Sequence, residues 1–153
     1  RRHHRTVLRR LGHEGGLTLL VLDTHVWLWT LLGSRTVRAE TLEEMARAAR
    51  QDELIIPVIA VWEVALLDAK GRIDLGGNAR DWVAEALAVP GYQLALLTPE
   101  IAVLCHNLPG DLHADPVDRM MVATAMDLAA TLVTRDEALL SYGAQGHVKV
   151  LAA

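Results

Sequence analysis

Leu19-Leu20-Val21-Leu22-Asp23-Thr24-His25 is the stretch that decides the fold. Its aliphatic run has no polar face, so it reads as a strand buried on both sides, the kind found in parallel sheets. The run ends abruptly in a carboxylate, and a second apolar segment, Val26-Trp27-Leu28-Trp29, follows at once. Open α/β sheets bind ligands outside the carboxyl ends of their strands, where Asp23 falls. Asp23 therefore has two readings: part of a functional site, or the cap of the next helix. The recurrence of acids at the same place in a repeating unit separates them.

Downstream the pattern does repeat. The first strand, near 18–22, leads into a short helix through Leu32 that ends at Gly33. Residues 36–51 form an amphipathic pattern, with Val37, Leu42, Met45, Ala46 and Ala49 apolar and Arg and Glu between them. A strand over 54–56 is stopped by Pro57, and a helix containing 61–67 closes at Lys70-Gly71, a basic last turn followed by Gly. The periodicity predicts a helix over 79–88 and a strand over 92–97. Thr98-Pro99-Glu100 is a cap with Pro at the first helical position, opening a helix through His106. A loop over 108–114 precedes Asp115-Pro116-Val117-Asp118 and a long helix to about Ala130. A strand over 131–134, a short helix to Tyr142 and a strand over 148–151 complete the chain. Strands alternating with helices of these lengths predict an α/β fold, with helices covering both faces of a central parallel sheet. Right-handed crossovers then bring every strand's carboxyl end to one edge.

Length and composition narrow the classes. A chain of 153 residues is one domain by default and long enough for a full core. Hydrophobic content is 52%. No apolar run reaches the ~18 residues of a membrane span, the two nearest being broken by Asp23 and Glu63. Cys105 is the one cysteine, within an apolar helical pattern, and reads as a buried, inert thiol suited to a reducing cytoplasm. Residues 1–16 hold five Arg and one Glu, net +4, whereas the other 137 hold ten Lys/Arg and eighteen Asp/Glu, net −8. The arm reads as disordered or as an artefactual extension, without a signal peptide. The acidic body lacks the basic face of a general nucleic-acid binder, so handling nucleic acid requires bound cations or a local patch.

Four acids stand at or just beyond strand and loop exits: Asp23, Glu63, Asp118 and Asp136. Each has a structural reading. Asp136 suits the cap of the following helix, and Asp115 and Asp118 suit Ncap and N3 of the long one. Glu63 fits least well, because Ile59, Val64, Ala65, Leu66 and Leu67 around it leave little solvent face. Brought to one sheet edge, such carboxylates repel and raise one another's pKa unless divalent cations lie between them. Oxygen donors suit Mg²⁺ or Mn²⁺, and His3, His4, His25, His106, His113 and His147 show no zinc-like spacing. Acids with Mg²⁺ point to phosphoryl chemistry. Trp27, Trp29, Trp62 and Trp82 read mostly as core, as do Met120, Met121 and Met126. Arg119 suits either a phosphate contact or an ion pair with Asp115.

Leu22-Asp23-Thr24-His25-Val26, Trp62-Glu63-Val64-Ala65, Lys70-Gly71-Arg72-Ile73, Asp115-Pro116-Val117-Asp118-Arg119 and Val133-Thr134-Arg135-Asp136 together resemble the motifs of PIN-domain ribonucleases. The group resembled is the VapC-type toxins of bacterial type II toxin–antitoxin modules. Each motif is short, but five in order from about Leu17 to Leu151 are specific. The resemblance implies an α/β/α sandwich, PIN-like, on a parallel sheet of four to five strands, with 17–153 as a single nuclease domain. It implies a cytoplasmic, Mg²⁺- or Mn²⁺-dependent endoribonuclease that cuts RNA, forms a homodimer and is inhibited by a VapB-like antitoxin. It places catalytic, metal-binding acids at Asp23, Glu63, Asp118 and Asp136. Asp115 becomes an auxiliary acid or cap, with Thr24, Thr134 and Arg119 as accessory residues. Residues 1–16 have no counterpart in the family pattern, and Pro57 replaces a small polar residue.

Competing readings are a PIN nuclease outside a toxin–antitoxin system and a PIN-like module that binds without cutting. A haloacid-dehalogenase-like phosphatase needs a second Asp where His25 stands. A receiver domain needs an acid pair ahead of the first acceptor, where only Glu14 precedes Asp23.

Overall fold

The computed structural model describes residues 18–33 and 36–153, and the basic arm at 1–16 lies outside them. In chain order the elements are β1 (Leu20–Leu22), α1 (Thr24–Leu31), α2 (Ala39–Ala49), β2 (Leu54–Pro57), α3 (Val58–Ala69) and α4 (Ala79–Ala88). There follow β3 (Tyr92–Ala95), α5 (Pro99–Leu104), α6 (Pro116–Asp127), β4 (Thr131–Thr134), α7 (Glu137–Ala144) and β5 (Lys149–Ala152). All five strands pair in parallel, in the order β3-β2-β1-β4-β5.

That order carries the functional consequence. From β1 the chain steps outward to β2 and β3, then crosses back to β4 and out to β5. The direction reverses between β1 and β4, and right-handed crossovers in opposite directions lay helices on opposite faces. No connection then covers the space above the carboxyl ends of β1 and β4, which is where open sheets hold ligands. Leu20, Val21 and Leu22 pair with Thr131, Leu132 and Val133, so Asp23 and Thr134 leave the sheet side by side.

Burial follows from this layering. Every residue of β1 and β2 is buried. Successive strand residues point to opposite faces, so such a strand must be covered on both. The core is built from Val21, Leu22, Ile55, Ile56, Leu132 and Val133 between α1, α3 and α6, with Val26, Trp27, Val64, Met121, Val122 and Ala125 packed against them. Cys105 is buried as expected, its thiol donating to the Ala102 carbonyl at 3.1 Å.

The elements at 79–88 and 131–134 coincide with the sequence reading. Pro57 ends β2 and enters α3 in an extended conformation, where its missing N–H costs no helical hydrogen bond. Gly71 follows α3 with φ +65°, the left-handed turn expected after that helix. Helix α3 corrects the sequence reading. Its apolar sequence predicts burial all round, yet Trp62 is 54% exposed and Ala65 lies at the surface. Trp27 is fully buried, Trp29 and Trp82 are half-buried, and Trp62 is not core. Among the described residues, no helix is long and apolar enough to cross a membrane.

Candidate metal centre

Asp23 is the first residue beyond β1 and is 8% exposed. It does two jobs. Its Oδ1 accepts from the Thr24 backbone N–H at 2.8 Å, capping α1. Its Oδ2 accepts from the Thr134 hydroxyl at 2.7 Å, across the β1–β4 gap. Burial raises its pKa, against the opposing pull of the two hydrogen bonds and of His25, while Asp136 adds to the rise. The Thr134 Oγ1 also accepts from the Asp136 N–H at 3.1 Å, so one hydroxyl ties the exit of β4 to the exit of β1. Asp136 in turn caps α7 through the Leu139 N–H at 3.0 Å. The Thr24 hydroxyl is buried without a hydrogen-bond partner, an orphan beside the most buried of the four acids.

Asp118 arrives from the opposite direction. Asp115 caps α6, its Oδ1 accepting from Val117 and Asp118 at 2.9 and 3.3 Å, with Pro116 at the first helical position. This cap sets the first turn of α6 and with it the Asp118 side chain. Its pKa is pushed up to about 7, first by burial and then by the negative charges of Asp23, Asp115, Asp136 and Glu63. Glu63 joins from α3, half-buried, because α3 packs beside α1 and α6. The four acids singled out in the sequence, with Asp115, thus share one electrostatic neighbourhood at the switch point.

Two residues behave differently from the sequence reading. Arg119 makes no ion pair with Asp115. Its guanidinium donates to the main-chain carbonyls of Cys105 and Leu112 at 2.8 Å each and of His113 at 3.4 Å. The second is His113, which spacing did not select. Its Nε2 lies 3.2 Å from Asp118 Oδ2, and His113, Asp118 and Asp136 offer donor atoms within 4.8 Å of one another. The available signal was its place two residues before the α6 cap, which folds it back over the first turn.

These residues fit a divalent cation. Among the described residues, no Lys or Arg is ion-paired with Asp23, Glu63, Asp118 or Asp136. Burial and mutual repulsion oppose ionisation of Asp118, and a bound cation would remove that penalty. A mainly oxygen donor set suits a hard ion such as Mg²⁺ or Mn²⁺.

A parallel sheet with an acidic centre at its switch point places the chain among open α/β domains, whose ligand sites lie outside the carboxyl ends of the strands. Within that class the chain belongs to the PIN-domain family, whose model matches residues 20–144. It is similar to Ribonuclease VapC22 of Mycobacterium tuberculosis (strain ATCC 25618 / H37Rv), at 30% identity over 129 residues, 82% of this chain and 93% of that protein. Its fold is also that of VapBC2 from Rickettsia felis bound to a DNA fragment from their promoter, with TM-score 0.65, 12% identity and coverage of 88% and 98% of the two chains. FitAcB from Neisseria gonorrhoeae shares the fold at TM-score 0.59 and 20% identity, over 87% of this chain and 96% of that one.

Proposed function

We propose that the chain is a metal-dependent endoribonuclease and the toxin of a type II toxin–antitoxin pair, hydrolysing RNA phosphodiester bonds. The observation that carries this is the convergence of Asp23, Glu63, Asp118 and Asp136 at the switch point, in a chain 30% identical to a VapC ribonuclease. Asp23, Glu63 and Asp118 would hold Mg²⁺ or Mn²⁺, with Asp136 completing the site. When bound, the ion supplies the Lewis acidity that activates water and stabilises charge developing on phosphate. The chain's own residues do the positioning. Thr134 holds Asp23 Oδ2, the Asp115 cap sets the angle of Asp118, and burial shields Asp23 from bulk water.

Protein partners belong to the same reading: a VapB-like antitoxin and a second copy of the chain. Exposed Trp62, Leu96, Leu97 and Val103 supply apolar surface for such partners to cover. An antitoxin arginine entering the acid centre would meet carboxylates without a Lys or Arg partner among the described residues. RNA as substrate and a reduced, buried Cys105 fit a cytoplasmic protein.

The test is cleavage of cellular RNA by the purified chain in Mg²⁺, Mn²⁺ and EDTA, with sequencing of the new ends. Discrete ends that need a divalent ion and vanish in Asp23→Asn and Asp118→Asn are expected. Asn caps a helix about as well as Asp, so both variants should fold. Undiminished cleavage by both would remove the catalytic assignment, and Mg²⁺ binding without cleavage would leave a binding module.

A further inference from the structure

We infer that Arg135, carried on Trp29 at the rim of the acid centre, holds a backbone phosphate of single-stranded RNA flanking the one that is cut. This rests on the ribonuclease reading above. The body of the chain is acidic, residues 17–153 summing to net −8, so binding a polyanion there needs a local cation. Arg135 stands between Thr134, whose hydroxyl donates to Asp23, and Asp136. Yet it is ion-paired with neither carboxylate. Asp136 accepts from the Leu139 N–H at 3.0 Å in the first turn of α7, whereas Arg135 reaches α1 and Thr36. Its Nη1 donates to the Thr36 carbonyl at 2.8 Å, and its guanidinium carbon lies over the Trp29 ring, 5.8 Å from the centroid.

That mounting fixes the guanidinium and leaves most of its donors open. Trp29 is half-buried and packed against the core, and His25, one turn earlier on α1, meets its ring at 5.7 Å and 48°. Stacking occupies one face of the planar group, and the Thr36 carbonyl takes one of its five N–H donors. Arg135 is itself exposed, and among the described residues its Nε and Nη2 have no partner. Those two nitrogens form the side of the fork that takes two oxygens of one phosphate. An exposed fork in a set position beside the acid centre matches a polymer whose phosphates repeat along the chain. One phosphate lies at the carboxylates and a neighbouring one at Arg135, a contact that positions the strand without reading its sequence.

The probe is a labelled RNA oligonucleotide spanning a cleavage site mapped as above, cut in single turnover by the full chain in Mg²⁺. Arg135→Met keeps an apolar stem on Trp29 and removes the charge. Its half-saturating protein concentration should rise about 10-fold or more, the effect falling there and not on the saturating rate. Between about 50 and 200 mM KCl, the log–log slope of affinity against salt should flatten by about 0.7, the loss of one single-strand phosphate contact. Arg135→Lys should keep the slope while binding more weakly than the parent, since the charge stays and the fork is lost. Mn²⁺ affinity of Arg135→Met, read by electron paramagnetic resonance, should equal the parent's. The parent's half-saturation and salt slope in Arg135→Met would overturn the inference while leaving the ribonuclease reading in place. So would weaker binding with an unchanged slope, a loss confined to the saturating rate, or a matching loss of Mn²⁺ affinity, each of which would make Arg135 a structural tie. A parent that cuts no RNA in Mg²⁺ or Mn²⁺ would bring down the ribonuclease reading and this inference with it.

Discussion

Replacing Asp118 with Asn should stabilise the metal-free protein while destroying its metal-dependent activity. In the folded chain the Asp118 carboxyl is pushed from 3.8 up to about 7, so the native state holds its proton more tightly than the unfolded chain does. Stability from this group is therefore fully present below about pH 4 and is lost as pH rises through about 7. At pH 8 the ionised carboxylate opposes folding. A shift of that size corresponds to at most about 4 kcal/mol. With the side chain 20% exposed, solvent screening reduces this to about 1–2 kcal/mol. Asn keeps a polar group opposite His113 and forfeits a helix-dipole term of roughly 0.3–1 kcal/mol. The expected gain at pH 8 in EDTA is about 2–4 °C in Tm. Scanning calorimetry at pH 8 and pH 5 tests this, because the gain should shrink at pH 5, where the parent's Asp118 is already protonated. Saturating Mg²⁺ should reverse the ranking by stabilising only the parent. An Asn variant less stable than the parent at pH 8, or a gain equal at both pH values, would refute the reasoning.

The same protonation should appear in binding. Between pH 6 and 8 Mg²⁺ or Mn²⁺ affinity should rise, with close to one proton released per ion at pH 6, measured by titration calorimetry in buffers of different ionisation enthalpy. Thr134→Val removes the hydroxyl that Asp23 Oδ2 accepts from and that the Asp136 N–H donates to. It should cost about 1–3 kcal/mol in a urea melt and weaken metal binding as well. Arg119→Met should lower stability by about 1.5–3 kcal/mol, since three carbonyls lose a charged donor, and Lys should recover little because it lacks the planar fork. Chemical denaturation of the two variants side by side checks this.

Much of this architecture is legible before any coordinates, for identifiable reasons. Parallel α/β topology turns a sequence-local fact, an acid after an apolar run, into a spatial one. Asp23 and Asp136 could thus be assigned to one edge although they are far apart in the chain. Asp115-Pro116 announces a helix start through cap chemistry that depends on a few adjacent residues, and α6 begins there. The misreadings share a different cause. Trp62 looked like core because apolar character was taken for burial, whereas α3 lacks a neighbour on that side among the described residues. His113 was passed over because metal-ligand spacing counts residues along one element, and its partner is reached by a loop folding back over a helix end. Arg119 beside Asp115 suggested an ion pair, but the carbonyls of residues 105, 112 and 113 made the better match to its fork.

The bond between Thr134 and Asp23 joins residues 111 apart in sequence. That span has a meaning in time during synthesis. At about 5–20 residues per second, some 6–22 seconds separate the emergence of the two partners from a ribosome. Until β4 arrives, β1 has an unpaired side and Asp23 has one clamp in place of two. The growing chain thus holds its acid centre in parts until its last third is made.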